Sequence, residues 1–337
     1  MLAAESKAFP VTVDDDLHIR ATLLAFSDRS YLNMSNFLLP RRSTYRLFLI
    51  LAIAYGVSCA WLYLRQSAIL YQPNYNIPLS TPQDFQLDYQ NVWLNVANNL
   101  AQIHGWWFAA PTQPVIAVAN EPVNILTTPK TMLYFYGRGG SKTHYNNLAR
   151  IKGFQQLGFS VLAIDYRGYG LSEGELPNET RLYEDSQAAW KYLTSDRQIE
   201  PEDIIIYGES LGGAVAIDLA TRHPEAAGLI VQSSFTSMNS QIKQLYPALS
   251  IFPLNLILHQ RFASIDKVNQ LSLPVLFIHG TEDKIVNYKM SGELYTAANE
   301  PKTLFYIPGA EHLRLYQPEY SYLVAIANFL GLPDRNK

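Results

Sequence analysis

A serine between two glycines, Gly208-Glu209-Ser210-Leu211-Gly212, follows directly on the apolar run Ile204-Ile205-Ile206-Tyr207 and opens the small-residue run Gly213-Ala214-Val215-Ala216. β-Branched residues before it and small residues after it predict a buried strand, a sharp turn and a helix. Small flanking residues let strand and helix approach closely, so the turn aims the Ser210 hydroxyl away from the top of the strand. A hydroxyl is too weak an acid to attack a carbonyl unaided at neutral pH. A nucleophilic Ser210 therefore needs a base, and the base needs an acid to orient it. Two later apolar runs end in such residues. Pro274-Val275-Leu276-Phe277-Ile278 leads into His279-Gly280-Thr281-Glu282-Asp283, and Thr303-Leu304-Phe305-Tyr306-Ile307 leads into Pro308-Gly309-Ala310-Glu311-His312. The expected catalytic set is Ser210 as nucleophile, His312 as base and Asp283 as orienting acid, and the chemistry is acyl transfer to water.

Other residues compete for these roles. Glu282 neighbours Asp283, but adjacent loop residues point different ways, and the acid farther past the strand-end glycine is better placed. His279 ends a strand before the acid and reads as a structural hydrogen-bonding group, while His223, before Pro224, closes the helix after the serine turn. His18, His104 and His259 have no partner motif. The alternative for the serine itself is a glycine-rich loop with an incidental hydroxyl.

The elements that must position these residues alternate along the chain. Strands are expected at 89–96 and 103–108, with Asn98-Asn99 as turn residues between them, then at 132–135, 160–164 and 229–232. Helices are expected at 143–157, closed by Gly158, and at 182–193, 288–298 and 320–330. Strands alternating with helices predict a doubly wound, mostly parallel sheet of the α/β class. Residues 111–129 carry no clean pattern. Residues 238–262, dense in Leu, Ile, Phe and Tyr between core strands, suit either a short cap over the site or extra core helix.

From about residue 71 to 330 the chain resembles an α/β-hydrolase. Within that superfamily it resembles the membrane-anchored serine hydrolase branch that includes protein depalmitoylases and many bacterial hydrolases of unknown substrate. The resemblance is carried by Tyr71-Gln72-Pro73, His104-Gly105-Trp106-Trp107, Asp165-Tyr166-Arg167-Gly168-Tyr169-Gly170-Leu171-Ser172-Glu173-Gly174, the nucleophile elbow, Ser234-Phe235-Thr236-Ser237, His279-Gly280-Thr281-Glu282-Asp283 and the His312 loop. It implies the α/β-hydrolase fold, and the order Ser210, Asp283, His312 is the one that fold requires. It also implies an oxyanion hole from the backbone amides of Arg138, in the loop Tyr136-Gly137-Arg138-Gly139-Gly140-Ser141, and of Leu211. Relatives usually carry His-Gly in that loop followed by a small or amide residue, so Tyr136 and Arg138 are departures. A Tyr136 hydroxyl can replace loop-bracing hydrogen bonds, and Arg138 either projects beside the site to favour an anionic substrate or is a solvated side chain. The glycines at 168 and 170 do not form a nucleotide-binding GxGxxG, and Asp165 is expected to pair with Arg167 in a loop that buttresses the elbow.

Ahead of this domain, residues 47–64 are an uninterrupted uncharged run between Arg46 and Arg65. A span needs roughly 20 apolar residues, so a helix over 45–66 is expected to be a transmembrane segment or signal-anchor. Arg41, Arg42 and Arg46 precede it against Arg65 alone beyond, which places the N-terminus in the cytoplasm and the catalytic domain on the periplasmic, exterior or lumenal side. A cleaved signal, a lipid-modified Cys59 and a buried helix are the alternatives. Residues 1–40 read as a tail, Met34 is a plausible start, and residues 73–82 form a proline-rich connector.

Composition narrows the function. The chain has 337 residues, 48% of them hydrophobic, and can build one large domain with an appendage. A net charge of −3 with no basic stripe argues against nucleic acid as a partner. The single cysteine excludes an intramolecular disulfide and any multi-cysteine metal site. The reading is a serine hydrolase of carboxylic esters or thioesters acting through an acyl-enzyme on a small or lipid-like acyl substrate, with no metal or organic cofactor. The alternatives are a serine peptidase of short peptides and a catalytically weak binding protein on the same fold.

Overall fold

The computed structural model describes residues 42–71, 80–111, 117–118, 121–122, 130–138, 141–315 and 321–331. The tail at 1–40 with Met34, most of the 73–82 connector, much of 111–129 and the glycines at 139 and 140 lie outside the described residues.

The chain separates into two units, residues 1–57 and 58–337. In the first, helix α1 (Arg42–Tyr71) begins, and its residues 47–57, which start the uncharged run, are exposed. The helix is long and apolar enough to cross a membrane. It continues into the second unit, where Gln66, Leu70 and Tyr71 of its last turns are buried.

The rest of the second unit is built on one eight-stranded sheet. Strands β1 (Gln90–Val96) and β2 (Ala101–Phe108) form an antiparallel hairpin, with Asn98 and Asn99 at positive φ of 54° and 68° between them. Two-residue strands β3 (Ala117–Val118) and β4 (Glu121–Pro122) pair with each other in a separate antiparallel ribbon. β5 (Thr131–Phe135), β6 (Ser160–Ile164), β7 (Ile204–Glu209), β8 (Gly228–Gln232), β9 (Val275–Gly280) and β10 (Lys302–Ile307) run parallel, in the spatial order β1-β2-β6-β5-β7-β8-β9-β10. β5, β6, β7, β8 and β9 are buried along their whole length, as expected of strands with helices on both faces.

The connecting helices are α2 (Tyr145–Gln156), α3 (Glu179–Lys191), α4 (Leu211–Arg222), α5 (Met238–Leu245), α6 (Leu254–Ile257), α7 (Lys289–Ala297) and α8 (Tyr322–Phe329). α2 starts two residues later than its apolar pattern suggests, because His144 takes the N-cap and accepts from the Asn146 amide. α3 starts three residues earlier, because Asn178 caps it and accepts from the Arg181 amide. Gly158, at φ 90°, follows the end of α2, and His223 is the C-cap of α4. The 238–262 stretch folds as α5, a 3-10 turn over Pro247–Ile251, and α6.

Because the central strands are parallel, their C-terminal ends share one edge of the sheet. Phe135 lies opposite Gly208, so the loop after β5 runs beside the turn after β7. Ile307 lies opposite Gly280, which sets the loops after β9 and β10 side by side. The Thr281 amide donating to Ile307 (3.0 Å) and the Glu282 amide donating to Ala310 (3.0 Å) tie those two loops together.

Candidate active site

Ser210 follows β7 and caps α4 at φ 55°, ψ −118°, a conformation that costs on the order of 1–3 kcal/mol and persists only where its surroundings impose it. They do so here through backbone bonds. The Ser210 amide donates to Gln232 (2.9 Å), and its carbonyl accepts from the Gly213 amide (3.0 Å) and the Ser234 hydroxyl (2.8 Å). The flanking glycines are required by close approach. A Cβ on Gly208 would lie 2.2 Å from the Gly212 carbonyl oxygen, and one on Gly212 2.2 Å from that of Phe135.

Asp283 and His312 meet across the β9 and β10 loops. His312 Nδ1 lies 2.6 Å from Asp283 Oδ2, both side chains being buried. A carboxylate only accepts, so Nδ1 carries a proton, and the neutral ring in this tautomer has its lone pair on Nε2. Asp283 Oδ1 accepts from the Ile285 (2.9 Å) and Val286 (2.8 Å) amides. Burial by itself would raise the Asp283 carboxyl; hydrogen bonds from His279 and His312 and from the Val286 amide outweigh it, and the group is held well below the usual carboxylate range. Glu282 is exposed.

His279 is a structural hydrogen-bonding group. Its Nε2 lies 3.0 Å from both Asp283 Oδ2 and the Val286 carbonyl, acceptors only, so Nε2 is protonated and Nδ1 accepts from the Ser291 hydroxyl (2.7 Å). Sequence spacing gave its place at the strand end but not its second link to the acid.

Ser210 and His312 line one cavity of about 290 Å³ together with Arg138 and Leu211. Ser210 makes no hydrogen bond to His312; such bonds are often long in unliganded enzymes and tighten around substrate. Leu211 opens α4, so its amide is one of the unpaired donors at the positive end of that helix. Gly137 packs so close that a Cβ there would lie 3.1 Å from Ser210 Cβ.

The loop after β5 is braced differently from expectation. Asp165 does not pair with Arg167. Its Oδ1 accepts from the Tyr136 hydroxyl (3.0 Å) and the Lys142 amide (2.8 Å), and its Oδ2 pairs with the Lys142 ammonium. Arg167 turns to α3, where Nε donates to Asp185 Oδ1 (2.7 Å) and Nη2 to Glu184. The reason is burial. Asp165 and Lys142 are both about 1% exposed at their side chains, so each buried charge needs an opposite one, and Arg167, itself buried, has its own in Asp185. Burial, reinforced by the Asp165 charge, pushes the Tyr136 phenol well up and keeps it a donor. No group of three or more His, Cys, Asp and Glu that could hold a metal occurs among the described residues.

Comparisons agree with this architecture. A family model described as serine aminopeptidase, S33 matches residues 128–266 and 257–319. An uncharacterized protein of Mycobacterium tuberculosis is 35% identical over 214 residues, which cover 63% of this chain and 68% of that protein. Protein bem46 of Schizosaccharomyces pombe is 29% identical over 83% of this chain and 90% of its own, and α/β-hydrolase domain-containing protein 17B of Homo sapiens is 34% identical over 47% of this chain and 51% of its own. Among solved structures, the Pyrococcus furiosus esterase Pf2001 superposes with a TM-score of 0.60 at 22% identity, covering 77% of this chain and 95% of that one, a likeness of fold. With the sheet order, the elbow and the family match in agreement, the chain belongs to the α/β-hydrolase superfamily, in the hydrolase family described as serine aminopeptidase, S33.

Proposed function

We propose that this hydrolase cleaves carboxylic esters or thioesters with Ser210, His312 and Asp283 as its catalytic triad. The observation that carries the reading is the 2.6 Å contact of His312 Nδ1 with Asp283, which leaves Nε2 free in the cavity that Ser210 also lines. His312 Nε2 takes the Ser210 proton as Oγ attacks the acyl carbonyl, and Asp283 holds the tautomer and stabilises the imidazolium. The carbonyl oxygen gains its negative charge beside the Arg138 and Leu211 amides, donors worth on the order of 3 kcal/mol each in such sites. His312 then gives the proton to the leaving alkoxide or thiolate. A water, deprotonated by His312 in turn, attacks the acyl-enzyme, and Ser210 regains its proton as the acid departs.

A peptidase acting on short peptides is the second reading, favoured by the description of the matching family model and by the fold likeness to a Mycobacterium tuberculosis puromycin-hydrolyzing peptidase, TM-score 0.57. An aminopeptidase needs a carboxylate for the free ammonium of its substrate. Among the described residues, Glu209 is the one acidic side chain lining the cavity, and Arg150 already neutralises it. That pairing supports the ester reading. The exposed, apolar α1 supports attachment to a membrane, with Arg41, Arg42 and Arg46 on the cytoplasmic side and the catalytic domain opposite.

The test is labelling of the detergent-extracted protein with a fluorophosphonate, with Ser210→Ala and His312→Ala as comparisons, beside turnover of p-nitrophenyl esters and aminoacyl p-nitroanilides. Labelling lost in both variants and preference for esters uphold the reading. Folded wild type that neither labels nor turns over overturns it in favour of a binding protein, and preference for anilides overturns it in favour of the peptidase.

A further inference from the structure

A second cavity, of about 270 Å³, adjoins the first and is walled in part by the end of helix α1. Leu70, Arg138, Met238, Gln241 and Leu245 line both cavities, so the two meet at these side chains. Beyond that junction the second cavity is mostly aliphatic: Leu62 and Ile69 from α1 and Ile242, Leu249, Leu254 and Ile257 from the 238–262 segment line it, with Gln66 and Tyr246 as its polar members. Arg138, at the junction, is its one charged lining residue among the described residues.

This wall is held in place by a buried polar tie. Gln66 Nε2 donates to the Ile257 carbonyl (2.7 Å), and its Oε1 accepts from the His259 amide (3.1 Å). The Tyr71 hydroxyl donates to Gln260 Oε1 (2.7 Å), and the Tyr71 carbonyl accepts from the Tyr169 hydroxyl (2.7 Å). Gln66 is 4% exposed and Tyr71 fully buried, so the contact is a built part of the domain. In sequence, Leu62 also belongs to the uncharged run at 47–64, so the segment suited to hydrocarbon ends in the wall of the cavity.

We infer that the second cavity is a long-chain fatty acyl site, and that the last turns of the anchor helix are one of its walls. The inference rests on the ester or thioester reading of Ser210. A mostly aliphatic lining without a buried free charge accepts a flexible hydrocarbon, and each methylene moved into it from water is worth a factor of about four in affinity. On this reading the carbonyl sits at Ser210 and the chain passes the shared side chains beside Arg138 into the space between α1 and the 238–262 segment. The helix is then part of the substrate site as well as an attachment.

Ile69→Trp and Leu249→Trp narrow the second cavity from opposite walls without lining the first. The expected result, in folded detergent-extracted protein, is that the kcat/KM ratio of p-nitrophenyl palmitate to p-nitrophenyl butyrate falls about tenfold or more in both. Leu249→Ala is expected to move the optimum towards longer chains. An unchanged ratio in both tryptophan variants, with wild-type thermal unfolding, overturns the site. A second readout is independent of hydrolysis: binding of a fluorescent palmitate analogue to Ser210→Ala. Binding that weakens about tenfold on adding Ile69→Trp upholds the acyl site even where no ester is turned over; equal binding overturns it. An S-palmitoyl-cysteine peptide and 1-palmitoylglycerol then distinguish the source of the chain. Preference for either upholds the site and names the donor; turnover of neither above the butyrate ester overturns it.

Discussion

Arg150 Nη1 lies 2.7 Å from Glu209 Oε2, both side chains being buried, one residue before the elbow serine. The Tyr134 hydroxyl, 2.7 Å from the same guanidinium nitrogen and 3.2 Å from the same carboxylate oxygen, closes the cluster. Removing one partner strands a buried charge. Arg150→Met is expected to destabilise the protein by about 3–5 kcal/mol, and Arg150→Met with Glu209→Gln to recover most of that, read as urea midpoints of detergent-extracted protein. A double variant no more stable than the single would show that packing, not charge, holds α2 to the elbow.

Tyr136 tests the proposed oxyanion role of the loop after β5. Tyr136→Phe removes one donor to Asp165 while Lys142 remains, so stability should fall by about 0.5–1.5 kcal/mol. If the loop places the Arg138 amide, kcat for a short ester falls with little change in KM, and steady-state kinetics separate the two. A change confined to KM would assign the loop to binding instead.

The Asp283 carboxyl is the point where pH enters. Asp283→Asn should lower kcat by on the order of 10⁴ through the wrong His312 tautomer. Its folded-state value lies below the unfolded carboxylate value of about 3.9, so the native state binds fewer protons than the unfolded one in that window. Its contribution to stability is complete above that value and is lost as pH falls further. Unfolding midpoints between neutral pH and about pH 3 should therefore drop less steeply in Asp283→Asn than in wild type.

His279 props the acid from the other side. His279→Phe leaves Asp283 Oδ2 and the Ser291 hydroxyl each one partner short, at a cost of about 1–3 kcal/mol. Because His312 still reaches Asp283, kcat should fall by less than in Asp283→Asn. Equal losses in the two variants would place His279 in the proton path.

The elbow glycines have no room to vary. Gly208→Ala would set a methyl 2.2 Å from the Gly212 carbonyl oxygen, a backbone atom that cannot move aside, and soluble folded protein should not be recovered. A folded Gly208→Ala with wild-type labelling would contradict this close approach.

Local pattern in the sequence determined much of this protein. β-Branched runs, caps and turn glycines are short-range signals, so the sheet strands, the elbow at Ser210, the hairpin turn at Asn98-Asn99 and the apolar helix over 47–64 are all legible in the residues themselves. The order of the motifs then specified the fold, because only one doubly wound hydrolase architecture takes serine, acid and histidine in that sequence.

Pairing between distant residues was decided only by tertiary structure. Asp165 and Arg167 are close in sequence and look like partners, yet Lys142 takes the acid and Asp185 the arginine, because burial selects whichever charge the packing brings nearest. The strand-end position of His279 is a local feature, whereas its second bond to Asp283 depends on how the loop after β9 turns back. The bond from Tyr71 to Gln260 spans 189 residues, and that from Gln66 to Ile257 spans 191. No periodicity encodes such contacts. They exist because the folded sheet brings the 238–262 segment against the end of helix α1, and the second cavity comes into being between them.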